Sequence, residues 1–227
     1  MTPNLDLSTL ETFASTPRLA QQLRFIVEID QLKGILRQTL LTDASRRENS
    51  AEHSWHIAMM AIVLAEYAPP GVEIGHVIKL LLVHDLVEID AGDTFCYDVQ
   101  HNQSKADREQ QAADRIFGLL PPAQTTELRA LWDEFEAQAT PAAQFAAALD
   151  RLQPMLNNWQ TQGGTWKQHG ISHDRALHRA SAIAVGAPPL WPSIQNLLAA
   201  AVAQGYLQPS PLPQPAPPSP SPTAQSE

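Results

Sequence analysis

Residues 77–93, VIKLLLVHDLVEIDAGD, constrain this chain more than any other stretch. His84 and Asp85 interrupt an apolar helical run, and Glu88 and Asp93 follow. Burying an unpaired charge costs on the order of several kcal/mol. An imidazole and a carboxylate side by side in an interior must therefore either pair with each other and with the backbone, or hold a metal.

A second apolar helix, read over residues 49–67, carries His53 near its start. Ile57, Met60 and Leu64 recur from it at helical spacing, so His53 points from the buried stripe. Further on, PAAQFAAALDRL at 141–152 sets Asp150 in an Ala-rich helix, whose small side chains let neighbouring helices approach closely. Three helices can thus offer two imidazoles and two carboxylates to one point. That mixed nitrogen and oxygen set suits a divalent ion such as Mn, Fe, Co, Ni or Zn, with positions left open for water.

The order H…HD…D on a helical chain resembles the HD-domain metal-dependent phosphohydrolases. The blocks RRENSAEHSWH and HDLVEIDAGDT are similar to the single-domain branch that includes the 5'-deoxynucleotidases, over roughly residues 18–205. The resemblance implies an all-α fold, a compact multi-helix HD-domain bundle that forms a homodimer. It also implies one divalent metal ion (Mn, Co, Fe, Ni, Zn or Mg) held by His53, His84, Asp85 and Asp150. Glu88, one helical turn after His84, is placed to orient the attacking water or shuttle a proton, the role of the family's glutamate at this HDxxE position. Asp93 corresponds to a family aspartate that also serves the site. The plainer readings are an acceptor behind a ligand histidine for Glu88, and a turn residue after Gly92 for Asp93. The other HD pair, His173-Asp174, follows Ser172 and reads as a helix cap.

A phosphate substrate needs cations. Arg37, read at the end of the first helix, matches an arginine that contacts substrate phosphate in the deoxynucleotidase branch. Gln38, Thr39 and Leu40 follow it where that branch commonly carries a tryptophan, a departure at the place where the substrate should be held. Arg46 and Arg47 are further substrate-binding candidates, or else surface partners of Glu48 and Glu52. Lys105 and Arg108 read as a solvated, salt-bridged face, with Lys105 able to reach a pocket mouth. His56 is a pocket-wall or core histidine, since EHSWH lacks the order of a metalloprotease helix. His76 and His101 stand beside no ligand motif, which favours a single metal.

With 227 residues, 44% of them hydrophobic, the chain can bury one substantial core. A net charge of −9 argues against binding a nucleic acid polymer, which relies on basic surface. The single cysteine, Cys96, fits a reducing compartment. The start MTPNLDLSTLETF lacks the pattern of a signal peptide, and no apolar run is long enough for a bilayer. These features predict a cytoplasmic protein without a membrane partner.

Helices are expected near 17–38, 49–67, up to Gly92, 104–120, 125–138, from Pro141 onward, 174–185 and 190–204, with no strand-like alternation. The predicted organisation is an N-terminal extension (1–16), an HD-type helical hydrolase domain (17–207) and a Pro/Ser-rich tail (208–227) too poor in apolar residues to fold. The stretch 190–207 either supplies a dimer interface or closes the core. The function expected is a phosphomonoesterase acting on nucleoside 5'-monophosphates through metal-activated water. Alternatives are a phosphatase for another small phosphorylated metabolite, an oxygen-activating diiron protein, and a nucleotide-binding regulatory module with a structural metal.

Overall fold

The structure, a computed structural model, describes residues 12, 14–93, 97 and 105–211. Cys96, His101, the first eleven residues and the Pro-rich segment beyond Pro211 lie outside the described residues.

Helix α1 (Pro17–Ile29) is capped by the Thr16 side chain with Pro17 in the first turn. A 3₁₀ segment follows at Asp30–Gly34. The sequence reading carried this helix on to residue 38. Instead Gly34, poorly suited to a helix interior, leads into a small antiparallel hairpin, β1 (Leu36–Leu40) and β2 (Arg47–Asn49). The expectation of no strands is thereby corrected, and Arg37 stands on a strand rather than at a helix end.

Helix α2 (Ser50–Val63) starts at a full capping box, in which Asn49 and Glu52 bond each other's backbone. Helix α3 (Ile74–Val83) gives way at His84 to a tight turn and the short helix α4 (Glu88–Ala91), which stops at Gly92 with φ 75°. The expected single helix up to Gly92 is thus broken at the HD pair. Helices α5 (Lys105–Phe117) and α6 (Pro122–Ala137) lead to the long central helix α7 (Pro141–Gln160), capped by Thr140. Then come α8 (Gly164–Gln168), α9 (His173–Gly186) and α10 (Trp191–Ala203).

The Ala-rich side of α7 behaves as expected. Ala143, Ala146, Ala147 and Ala148 are buried, and α9 packs so closely that a Cβ on Gly186 would lie 1.9 Å from the Gln144 carbonyl oxygen. One core gathers α2, α3, α7, α9 and α10 around Ile57, Leu80, Leu149, Ile183 and Leu198. A second joins α1, α5 and α6 to the HD turn through Phe25, Leu86, Ile116, Phe117 and Trp132. Ile194, Leu198 and Ala201 of α10 are buried in the first core, so this helix closes the interior. Gln208, read as the first tail residue, bridges to Ser172 and exchanges backbone hydrogen bonds with Ile171 and His173. Among the described residues no helix is long and apolar enough to cross a membrane.

Candidate metal centre and active site

Three elements bring the predicted ligands together: α2 supplies His53, the turn after α3 supplies His84 and Asp85, and α7 supplies Asp150. His53, His84 and Asp150 place one ligand atom each within 4.8 Å of one another, and all three are buried. Asp85 Oδ1 lies 3.0 Å from His84 Nε2.

The backing of the imidazoles decides which nitrogen faces this point. His84 Nδ1 donates to the Leu81 carbonyl at 2.8 Å, leaving Nε2 turned inward. His53 Nδ1 faces Gln153 Oε1 at 3.2 Å, and its Nε2 lies 2.9 Å from Asp150 Oδ1. Ligand histidines in metal sites have such an acceptor behind the distal ring nitrogen. His84 Nε2 is buried without an aligned hydrogen bond, although two carboxylates lie within 3.9 Å. An inward nitrogen without a hydrogen-bond partner, amid convergent carboxylates, is what a divalent cation would satisfy. The residues present fit such an ion.

The electrostatics point the same way. Burial alone would lower the pKa of His84, yet Asp85 raises it to about 9, so the carboxylates here favour a positive charge at this point. Burial, with Arg37 nearby, lowers His53 to about 4. Despite burial, Asp85 stays below the usual carboxylate range beside His84 and Arg37, as does Asp150 beside Arg151 and His53.

A cavity of about 150 Å³ opens on this cluster, lined among others by His84, Asp85, Glu88, Asp93, Asp150 and Arg37. Ser50 Oγ donates to Glu88 Oε2 at 2.6 Å. Burial, then repulsion from Asp85, pushes the Glu88 carboxyl up to about 8. Burial also raises Asp93, against the pull of Arg37.

Arg37 reaches the cavity because β1 is out of register. Leu36 pairs with Asn49 and Leu40 with Arg47, so β1 carries more residues than β2 across the same stretch. A bulge of this kind re-aims side chains next to functional sites. Arg37, Gln38 and Thr39 all line the cavity. The Gln38 and Leu40 carbonyls are fastened by Thr165 Oγ1 at 3.1 Å and Asn157 Nδ2 at 3.0 Å. Arg37 Nη1 bonds Asp85 Oδ2 at 2.9 Å and lies 3.9 Å from Asp93 Oδ1.

The other substrate-binding candidates lie elsewhere. Arg46 makes a two-pronged ion pair with Glu52 at 2.5 and 2.9 Å on the surface, and Arg47 bonds the Gln38 side chain. His56 is half-buried, 3.3 Å from Gln153 Nε2. None of the three lines the cavity. Lys105, read as part of a salt-bridged face able to reach a pocket mouth, does both: it lines the cavity and pairs with Glu109 at 3.3 Å.

Sequence reasoning missed Glu48, which is buried rather than a surface partner of Arg46 or Arg47. It also missed Tyr97, Arg151, Trp166 and Arg179 on the cavity wall. Arg151 could have been found from its place beside Asp150. Tyr97, Trp166 and Arg179 carry no motif that would have marked them.

The HD-domain family profile matches residues 29–191. The chain therefore belongs to the HD-domain family of metal-dependent phosphohydrolases. It is 57% identical to a predicted metal-dependent phosphohydrolase from Magnetospirillum magnetotacticum of known crystal structure, with TM-score 0.79 over 84% of this chain and 95% of that one. It is 32% identical to the mouse 5'-deoxynucleotidase HDDC2 over 63% of this chain and 71% of that protein. The human 5'-deoxynucleotidase HDDC2 is 31% identical over 59% of this chain, and the match spans 65% of its length. A conserved hypothetical protein from Pyrococcus furiosus, 19% identical with TM-score 0.60 over 77% of this chain and 99% of that one, shares the fold.

Proposed function

We propose that the protein is a phosphomonoesterase of nucleoside 5'-monophosphates, similar in activity to the 5'-deoxynucleotidases, and that it works in the cytoplasm as a homodimer. The observation carrying this reading is that Glu88 and Arg37 line the cavity onto which His84, Asp85 and Asp150 converge. A divalent ion held by His53, His84, Asp85 and Asp150 supplies, when bound, a nucleophilic water near neutral pH and polarises a phosphoryl oxygen.

The chain's own residues do the rest. Arg37 presents a guanidinium that matches the geometry of phosphate. Asp93 and Asp85 hold it at the cavity. Glu88, whose carboxyl is raised to about 8 by burial and by Asp85, is suited to carry a proton to or from the reacting atoms. With Oε2 fixed by Ser50, its other oxygen is free to pass that proton to the leaving ester oxygen. Tyr97, Phe135 and Trp166 offer aromatic surface to a base.

A second reading, a phosphatase of another small phosphorylated metabolite, is favoured by Gln38 and Thr39 at the bulge, where the deoxynucleotidase branch commonly has a tryptophan. One screen separates the two. Protein stripped and reloaded with Mn, Co, Ni, Zn or Mg is assayed against deoxyribo- and ribonucleoside monophosphates and sugar phosphates, beside Asp85→Ala. Release from 5'-nucleotides that Asp85→Ala abolishes supports the first reading. Turnover confined to other phosphates supports the second, and none from a metal-loaded protein overturns both.

A further inference from the structure

We propose that Glu48 is a positioning residue that ties the phosphate-gripping Arg37 to the ligand histidine His53, so that substrate grip and metal site are held as one unit. Glu48 is the middle residue of β2 and only 2% exposed, whereas its neighbours Arg47 and Asn49 are partly exposed. The pleat of a three-residue strand has turned a carboxylate inward, and a carboxylate there needs donors.

Three groups face it. Gln153 Nε2 donates to Oε2 at 2.8 Å, Arg37 Nε lies 3.4 Å from Oε1, and His53 Nδ1 lies 3.6 Å from Oε1. Gln153 and Arg37 present donors to it, and His53 gives its Nδ1 proton to Gln153. A guanidinium has only donors. The Gln153 amide turns its nitrogen to Glu48 because its oxygen faces His53 Nδ1 at 3.2 Å. His53 must carry its proton on Nδ1 if Nε2 is to offer a lone pair to an ion. A carboxylate, with two acceptor oxygens and no donor, suits Gln153 and Arg37, and it holds His53 through Gln153, whose Oε1 takes the Nδ1 proton. An amide of the same shape turns an NH₂ group on at least one of them. Arg37 Nε and Glu48 Oε1 are both buried without a hydrogen bond elsewhere, so each is the other's compensating charge.

The far end of Arg37 shows why this contact matters. Its Nη1 is held by Asp85, one of the expected ligands. A carboxylate committed to an ion attracts a guanidinium less. Glu48, which is outside the ligand set, keeps Arg37 anchored at Nε while its terminal nitrogens turn to the phosphate.

The test uses the full-length protein with Glu48→Gln, Glu48→Asp and Arg37→Ala. Cobalt alone is titrated in competition with a chromophoric chelator. KM and kcat per loaded site are measured on the phosphate ester that the screen identifies. Glu48→Gln should weaken cobalt binding about 10–100-fold and raise KM more than it lowers kcat, with Glu48→Asp intermediate in both. In an Arg37→Ala background Glu48→Gln should no longer change KM. A folded Glu48→Gln protein with cobalt affinity and KM within about twofold of the parent overturns the proposal, whatever its melting temperature. Weaker cobalt binding at unchanged KM removes the Arg37 half of the link. Should Glu48→Gln fail to fold, Glu48→Asp decides by the same criteria. The KM arm rests on the phosphatase reading and the cobalt arm does not. Weakened cobalt binding in a protein that hydrolyses nothing leaves the Glu48 link standing and sinks the proposed activity.

Discussion

His84 carries a charge that the metal would replace. Burial would lower its pKa, but Asp85 raises it to about 9 from 6.5, so its contribution to stability is complete below pH 6.5 and is lost as the pH rises towards 9. Burial raises Glu48 and Glu88 from 4.5 to about 7 and about 8, and their contributions fall in the same direction. His53, lowered from 6.5 to about 4, acts oppositely and only below pH 6.5. The metal-free protein should therefore melt at falling temperature between pH 6.5 and about 9. Loading cobalt or manganese should flatten that slope, because an ion takes the neutral imidazole. Thermal melts across this range check the first statement, and a flat metal-free profile would contradict the charge assignment. Titration calorimetry at pH 7.5 in buffers of different ionisation enthalpy should show protons released on metal binding. Glu88→Gln, which keeps the shape but not the exchangeable proton, should lower kcat by about 10²–10⁴ with cobalt affinity nearly unchanged. A drop confined to metal affinity would make Glu88 a supporting group instead.

Among the elements, the contact of α9 with α7 is the least tolerant. A Cβ on Gly186 would meet the Gln144 carbonyl oxygen at 1.9 Å and the Ala148 methyl at 3.0 Å, so Gly186→Ala should part the helices. Overpacking of this kind costs about 1–3 kcal/mol, and each kcal/mol lowers Tm by roughly 2–4 °C in a chain of this size. A calorimetric scan that finds Gly186→Ala unchanged would show that α9 can slide. The helices were legible because their apolar periodicity, caps and proline starts agree, as at Asn49 with Glu52 and at Thr140-Pro141. The hairpin was not. Its strands are short, LRQTL and REN, with no clean alternation, and tertiary anchors from Asn157 and Thr165 hold them. Glu48 stayed hidden for a related reason. A charge between Arg47 and Asn49 looks solvated until the strand turns it inward, whereas His84 and Asp85 stood out against apolar neighbours on either side.

At the scale of the molecule, the ligands come from distant parts of the chain and touch both cores. His53 and Asp150 ride on α2 and α7 of the first core, and His84 and Asp85 lie in the turn that Val83 and Leu86 anchor in the second. An ion bound there stabilises only the folded chain. Free metal at a hundred times its Kd should add about 2.7 kcal/mol, and by the same scaling raise Tm by roughly 5–10 °C. Differential scanning fluorimetry of Asp150→Ala should show no such rise; an equal rise would place the ion elsewhere.

The bulge in β1 has a consequence for how such a protein can change. Residues 37–39 stand outside the regular ladder, while the ends of the hairpin stay paired at Leu36 with Asn49 and at Leu40 with Arg47. The Gln38 and Thr39 side chains can be exchanged without unpairing the strands, and neither belongs to the cluster formed by His53, His84 and Asp150. Arg37 is bonded to Asp85 and faces Glu48, so the grip on phosphate stays tied to the metal site, and Gln38 and Thr39 beside it are the positions where a new preference would first be written.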